Sequence, residues 1–249
     1  IFGTYVSSIS FLANPGKSYA ADWLPFVFGL SLPVAAWMAT RYFVPFYRSL
    51  GEVSAYSHME QRFGPWARVY LVACYLLTQL ARTGAILYLV ALAVEPLTGW
   101  DVRMIIAVTG LLVIAYTLLG GIEAVIWTDV VQSIVLTGGI ILSLFVLFSG
   151  IPEGPRQVFE LAAAEGKFGL GEKGFDLAAA SFVGVFVFGL FENMKNFGID
   201  QSYVQRYATA RSGRDASRSV WVGAQAYLPV SALLFLVGTA FFAFYAAQP

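Results

Sequence analysis

Arg82 is the residue whose setting first demands a chemical explanation. It stands near the middle of the stretch Val69 to Val94, which carries no other formal charge. A helix of that length spans a bilayer, and an arginine at its centre costs roughly 2.5 to 3.5 kcal/mol on insertion scales. A guanidinium so placed faces a packed interior or a watery cavity, where its planar fork suits a carboxylate. Gln79 lies one turn earlier on the same helical face. The helix's own carboxylate, Glu95, is about 20 Å further along at 1.5 Å per residue, so only backbone carbonyls remain as a structural alternative for Arg82. Asp129 is the second charge of interest. With Thr128 and Ser133 nearby it offers the oxygen donors a small hard cation prefers, although Thr128 and Asp129 also read as a helix cap. Asn193 and Lys195 follow a short apolar stretch, where the lysine can snorkel to an interface.

Other chemistries are poorly supplied. His58 and Cys74 are the one histidine and one cysteine, so the sequence offers no evident nucleophile–base pair, internal disulfide or H-E-x-x-H metal site. No G-x-S-x-G or Walker-type loop occurs. The chain is not expected to be an enzyme. His58 reads as a solvated residue of a polar connection and Cys74 as packing.

The elements that position these residues are apolar spans. The 249 residues are 58% hydrophobic and 12% charged, about half the charge of a soluble domain. Mean hydropathy is +0.71. The expected fold class is therefore all-α, a polytopic transmembrane helical bundle in a cell membrane, with the lipid bilayer as its partner. Net charge is zero and there is no basic run for nucleic acid. Oligomeric state is not readable. The chain opens on Ile1 and closes on Pro249 at the edge of an apolar segment, which reads as a transmembrane region cut at both ends.

Seven segments are expected. The first, Ile1 to Ala13, is short, rich in hydroxyls, and breaks at Asn14-Pro15-Gly16. The second runs from about Trp23 to Phe46, with kinks expected from Pro25, Pro33 and Pro45. The third is about Trp66 to Val94. The fourth, about Val102 to Leu119, ends at Gly120-Gly121, and the fifth covers about Thr128 to Phe148. Ser149 to Asp176 reads as an exposed loop with a short helix. The sixth, about Leu177 to Phe191, gives way to the polar run ENMKNFGIDQ. The seventh is about Val220 to Ala246, kinked at Pro229. Arginine and lysine concentrate at Arg48 to Arg68 and at Lys195 to Arg218, which places those connections in the cytoplasm and the 149–176 loop outside. Segments one and six, both short and interrupted, sit at matching positions of two halves, the arrangement that marks a transporter's binding site.

Three motifs carry a resemblance. Gly120-Gly121-Ile122-Glu123-Ala124-Val125-Ile126-Trp127-Thr128-Asp129-Val130-Val131-Gln132 is similar to the signature of the sodium/solute symporter family. Asp200-Gln201-Ser202-Tyr203-Val204-Gln205-Arg206 resembles that family's D-Q-x-x-V-Q-R loop. Ser8-Ile9-Ser10-Phe11-Leu12 with Pro15-Gly16 resembles its first core helix. The resemblance implies a leucine-transporter-type inverted-repeat fold, present here as core helices 1 to 7. Residues 1–149 would form the first repeat, 150–176 an extracellular loop, and 177–249 the start of the second repeat.

It also implies a sodium-coupled secondary active symporter for a small organic solute, working by alternating access. Backbone carbonyls of Gly3 and Val6 match the main sodium site, whose remaining hydroxyls belong to an eighth core helix not in this chain. Asp129 matches a further sodium-linked carboxylate. The pattern is most similar to bacterial sialic acid symporters, which carry an arginine at the place of Arg82 that holds the substrate carboxylate. Ser7 and Ser10 match substrate-contacting positions, Asn193 a sugar-contacting asparagine, and Tyr227 a substrate-facing one. Tyr5 and Phe26 complete the expected solute-binding set. Those symporters also use a glutamine in the second core helix, whereas Phe28, Gly29 and Leu30 offer none. A neutral-sugar symporter, an uncoupled facilitator and the membrane region of a sensor are the alternatives.

Overall fold

Proline placement explains how the second apolar stretch is built. The computed structural model describes residues 8–51, 54–172, 174 and 180–247. In it Pro25 precedes α2, Phe26–Leu30; Pro33 sits in the first turn of α3, Leu32–Met38; and Pro45 sits in the first turn of α4, Val44–Leu50. A proline costs no hydrogen bond in a first turn, so each ring starts a fresh helical piece. A π-helical turn at Ala39–Phe43 joins α3 to α4. The regular α-helical pattern is interrupted beside Pro33, at Ser31, and just before Pro45, at the π-helical turn.

The remaining elements are α1, Ser8–Ala20; α5, Ser57–Phe63; α6, Pro65–Thr98; α7, Val102–Gly150; α8, Pro155–Ala164; α9, Phe182–Ile199; α10, Gln201–Thr209; and α11, Gly213–Ala247. The all-α class holds, and a single parallel bridge joins Glu172 to Ser181 among the described residues. Four helical stretches, Phe26–Leu50, α6, α7 and α11, are long and apolar enough to cross a membrane. The short helix expected in the 149–176 loop is α8. Pro229 lies inside α11 and Pro96 inside α6.

Two expected breaks are absent. Segment one does not end at Asn14-Pro15-Gly16, because α1 runs through it to Ala20. Segment six does not unwind at Glu192, because α9 continues to Ile199. The reason is tertiary. Ser18 Oγ donates to Phe235 O at 2.7 Å, tying α1 to α11 beyond the proline. In α9, Asn193 Nδ2 donates to Ser31 Oγ at 3.0 Å, while Lys195 pairs with Glu192 one turn earlier on the exposed face. Ser18, Asn193 and Lys195 thus each have a partner that fits a helix.

Segments four and five do part at the glycine pair, since α7 is non-helical at Gly121, with φ 57° and ψ −151°. A side chain is strained in that region, which is nearly exclusive to glycine. The second limb of α7 starts straight after it, earlier than the expected Thr128.

The chain forms two compact units, Ile1–Val53 with Ser133–Pro249, and Ser54–Gln132. The core of the first unit joins the end of α7 (Ile140, Leu144, Leu147) to α8 (Val158) and α11 (Leu234, Val237, Ala240). Its basic end is locked by tyrosine and arginine contacts. Tyr47 Oη donates to Gly198 O at 2.6 Å, and Arg48 Nη1 donates to Tyr207 O and Ala210 O at 2.8 and 2.9 Å. Asp200 caps α10 by accepting from the Ser202 amide at 2.8 Å. Tyr207 is wholly buried and donates to Phe197 O at 3.0 Å. Burial pushes its phenol well above the ordinary range, so it stays protonated and donating. That contribution to stability is complete below about pH 10, where the unfolded phenol ionises, and is lost only at higher pH. Tyr207→Phe should cost about 0.5–1.5 kcal/mol by removing a buried hydrogen bond, read as a lowered thermal midpoint in detergent. In the second unit, Arg68 Nη1 pairs with Glu60 Oε2 at 2.6 Å between α6 and α5.

Candidate functional site

A cavity of about 440 Å³ lies within the first unit, walled by α1, α2, α9 and α11. Its size falls within the range of small-molecule sites. Aromatic faces come from Phe28, Phe188 and Phe235, and polar groups from Asn14, Lys17, Tyr227 and Ser231. The helical repeat explains the grouping. Asn14 and Lys17 are three apart on α1, and Tyr227 and Ser231 four apart on α11, so each pair shares a face. Gly29 is buried on the cavity's α2 wall, 3.6 Å from Tyr227 when a Cβ is placed on it. Phe28 and Gly29 thus line the cavity at the stretch where the glutamine is missing.

The expected site residues fall in different places. Gly3, Tyr5, Val6 and Ser7 lie outside the described residues. Ser10 is half-buried on α1. Phe26 is half-buried behind the cavity, meeting Trp23 and Phe235 edge-on at 5.7 and 5.8 Å. Tyr227 lines the cavity. Asn193 does not: it is buried at 2% exposure with its amide committed to Ser31, whose hydroxyl donates in turn to Phe28 O at 2.8 Å. The asparagine thereby ties α9 to α2 directly behind the aromatic wall.

Arg82, Gln79 and Asp129 belong to the second unit. Arg82 is exposed near the middle of α6 and Gln79 half-buried one turn before it. Continuous helix from Pro65 to Thr98 keeps Glu95 out of Arg82's reach. Asp129 is half-buried about two turns beyond Gly121, too deep in the limb to cap it. Thr128 Oγ1 donates to Ala124 O and Val125 O at 3.0 and 2.9 Å, so its hydroxyl turns back onto the preceding helical turn. The capping alternative for this pair is removed. His58 is half-buried on α5 rather than fully solvated, and Cys74 is exposed on α6.

Asn14, Lys17 and Ser231 line the cavity and are residues that sequence reasoning misses. Reading Asn14-Pro15-Gly16 as a break conceals the helical spacing of the first two. The signal for Ser231 is present, one turn beyond Tyr227.

These features define a multi-pass helical membrane protein. The chain belongs to the sodium:solute symporter family, whose model matches residues 1–248. It is 34% identical to the sodium/sialic acid symporter SiaT of Proteus mirabilis (strain HI4320), covering 100% of this chain and 50% of that protein. It is 32% identical to the sodium/sialic acid symporter NanT of Aliivibrio fischeri (strain ATCC 700601 / ES114), with the same coverage. A solved structure described as the substrate-bound outward-open state of a Na+-coupled sialic acid symporter matches with a TM-score of 0.94 at 30% identity, over 100% of this chain and 53% of that one. The chain thus spans about half the length of the curated relatives it matches. Its fold is the leucine-transporter type, and its family is one of transporters, not enzymes.

Proposed function

We propose that the protein is a sodium-coupled secondary symporter that imports a small carboxylate-bearing solute by alternating access. Arg82 is the observation that carries the solute class: a guanidinium midway along a membrane-crossing helix, where a charge is expensive to place. Its energetic cost is offset when an anion shares the site. The relatives named for sialic acid, itself a carboxylate, support the same reading. Sodium enters as a co-transported substrate rather than a resident cofactor. The carbonyls of Gly3 and Val6 would hold one ion, and Asp129 would serve a second sodium-linked role. Arg82, Gln79, Ser7, Ser10, Tyr5, Phe26 and Tyr227 form the proposed solute set, with Asn193 supporting the wall from behind.

The test is uptake of sialic acid and of glucose by cells expressing the full chain, with and without an inward sodium gradient. Sialic acid uptake that requires sodium is the expected result. Sodium-driven uptake of glucose alone would remove the carboxylate assignment, and sodium-independent uptake would remove the coupling. Asp129→Ala should raise the sodium concentration for half-maximal uptake by about tenfold, equivalent to about 1.4 kcal/mol. An unchanged sodium activation curve removes Asp129 from the ion's path.

A further inference from the structure

The cavity of the first unit contains more unmet polar capacity than packing explains. Ser231 is buried at 2% exposure and has no hydrogen-bond partner among the described residues. A buried hydroxyl ordinarily has one. Asn14, half-buried, and Lys17, exposed, line the same space and have no side-chain partner among the described residues. Asp22, the nearest acid in sequence, is turned to its own loop and accepts from the Leu24 amide at 3.0 Å. Among the described residues no carboxylate lines the cavity, and the one formal charge there is the Lys17 ammonium. A second cavity of about 420 Å³, lined by Phe11, Ile140, Leu234 and Phe241, has Ser143 as its one small hydroxyl and no charge among the described residues, and lacks this chemistry.

We infer that the cavity between α1, α2, α9 and α11 is an anion-receiving chamber in which Lys17 contacts the solute's carboxylate while Asn14 and Ser231 hydrogen-bond its hydroxyl or amide groups. This rests on the proposal that the solute is a carboxylate. Three features support it together. An ammonium, an amide and a hydroxyl, none engaged by a described residue, converge on one space. Aromatic side chains lining the same space, Phe28, Phe188 and Phe235, suit the C–H faces of a sugar-like ring. Gly29 leaves the α2 wall without a side chain, which keeps room for that ring. The chamber lies at the end of α1 that the 149–176 connection covers, since Lys167 Nζ donates to Tyr19 O at 2.8 Å. That connection reads as extracellular from its charge, so Lys17 meets a solute arriving from outside. A cation at such an entrance raises the local concentration of anions, and this effect weakens with salt.

Uptake of sialic acid, of its neutral methyl ester and of glucose is measured for the full chain and for Lys17→Gln, Lys17→Arg and Ser231→Ala, after matching the amount of each variant in the membrane. Lys17→Gln should raise the KM for sialic acid about tenfold with little change in maximal rate. The methyl ester, which also forfeits the Arg82 contact, should be taken up poorly, and to the same extent, by the parent and by Lys17→Gln. Lys17→Arg should restore most of the loss, and adding choline chloride at constant sodium should shrink the gap between the parent and Lys17→Gln. Ser231→Ala should raise KM for sialic acid as well. An unchanged KM in Lys17→Gln overturns the chamber while leaving the symporter reading intact. So does equal loss in Lys17→Gln and Lys17→Arg, because charge would then not be the cause. A parent protein that takes up glucose but not sialic acid overturns the solute class itself, and no uptake of any of the three counts against that class as well.

Discussion

Replacing Arg82 with glutamine should reduce sodium-driven sialic acid uptake on the order of a hundredfold while leaving the protein folded in the membrane. The size follows from the bonds removed. A charge-assisted hydrogen bond contributes about 1.5–3 kcal/mol, and a guanidinium offers a carboxylate two of them in parallel. Arg82→Lys keeps the charge but not the fork, so it should recover only a small part of the activity. Folding gives the independent readout. A mid-span arginine costs roughly 2.5 to 3.5 kcal/mol to insert, so its removal relieves a burden unless the residue holds the helices together. Membrane level and thermal midpoint should therefore stay equal or rise in Arg82→Gln. A fall in both, with residual uptake in proportion to the surviving protein, would make Arg82 a structural residue and end the carboxylate assignment. Selective loss of sialic acid uptake in folded protein would establish the anchor.

How far the sequence discloses this site depends on whether the relevant forces are local. Apolar length and charge spacing are local, and they mark α6, both limbs of α7, and α11. Proline chemistry is local too, and Pro33 and Pro45 begin new helical pieces where their rings predict. Gly121 parts the limbs of α7 because its backbone angles exclude other residues. By contrast, the continuity of α1 and α9 depends on partners more than a hundred residues away. Pro15 lacks an amide and Asn193 is a poor helix former, so each argues for a break when read alone. Ser18 reaching Phe235 and Asn193 reaching Ser31 reverse that local preference. A break in α1 would deprive Asn14 and Lys17 of the spacing that sets them on one face, so expecting the break also hides the cavity's polar lining. Arg82 and Asp129 stand out because a charge in an apolar helix is conspicuous without any fold.

The tightest junction in the first unit predicts the largest structural effect. Gly238 of α11 faces the backbone of Pro15 and the Ser18 hydroxyl so closely that a Cβ placed on it would overlap the Pro15 carbonyl oxygen and Ser18 Oγ, and sit 2.7 Å from the Pro15 carbonyl carbon. In lipid, helices gain little from hiding apolar surface and associate through such close approach of small residues. Gly238→Ala must therefore move α1 away from α11 or bend one of them. The Pro15 carbonyl is backbone and cannot swing aside, and displacing Ser18 forfeits its buried bond to Phe235 O. Trp23 Nε1, which donates to Thr239 Oγ1 at 2.9 Å beside the same contact, would be drawn out with it. Overpacking a core costs about 1–3 kcal/mol where side chains can adjust, and a backbone clash with loss of a buried hydrogen bond belongs at or above the top of that range. Gly238→Ala should lower the thermal midpoint in detergent by several degrees, and Gly238→Leu should abolish accumulation in the membrane. Ala240→Gly, two residues on and buried in the neighbouring core, controls for generic disturbance of α11 and should have the milder effect. Because α1 also brings Ser10, Asn14 and Lys17 to the proposed solute path, surviving Gly238→Ala protein should bind sialic acid less tightly in proportion to the helix shift. Normal stability and normal uptake in Gly238→Ala would mean that α1 and α11 do not meet as closely as their packing requires.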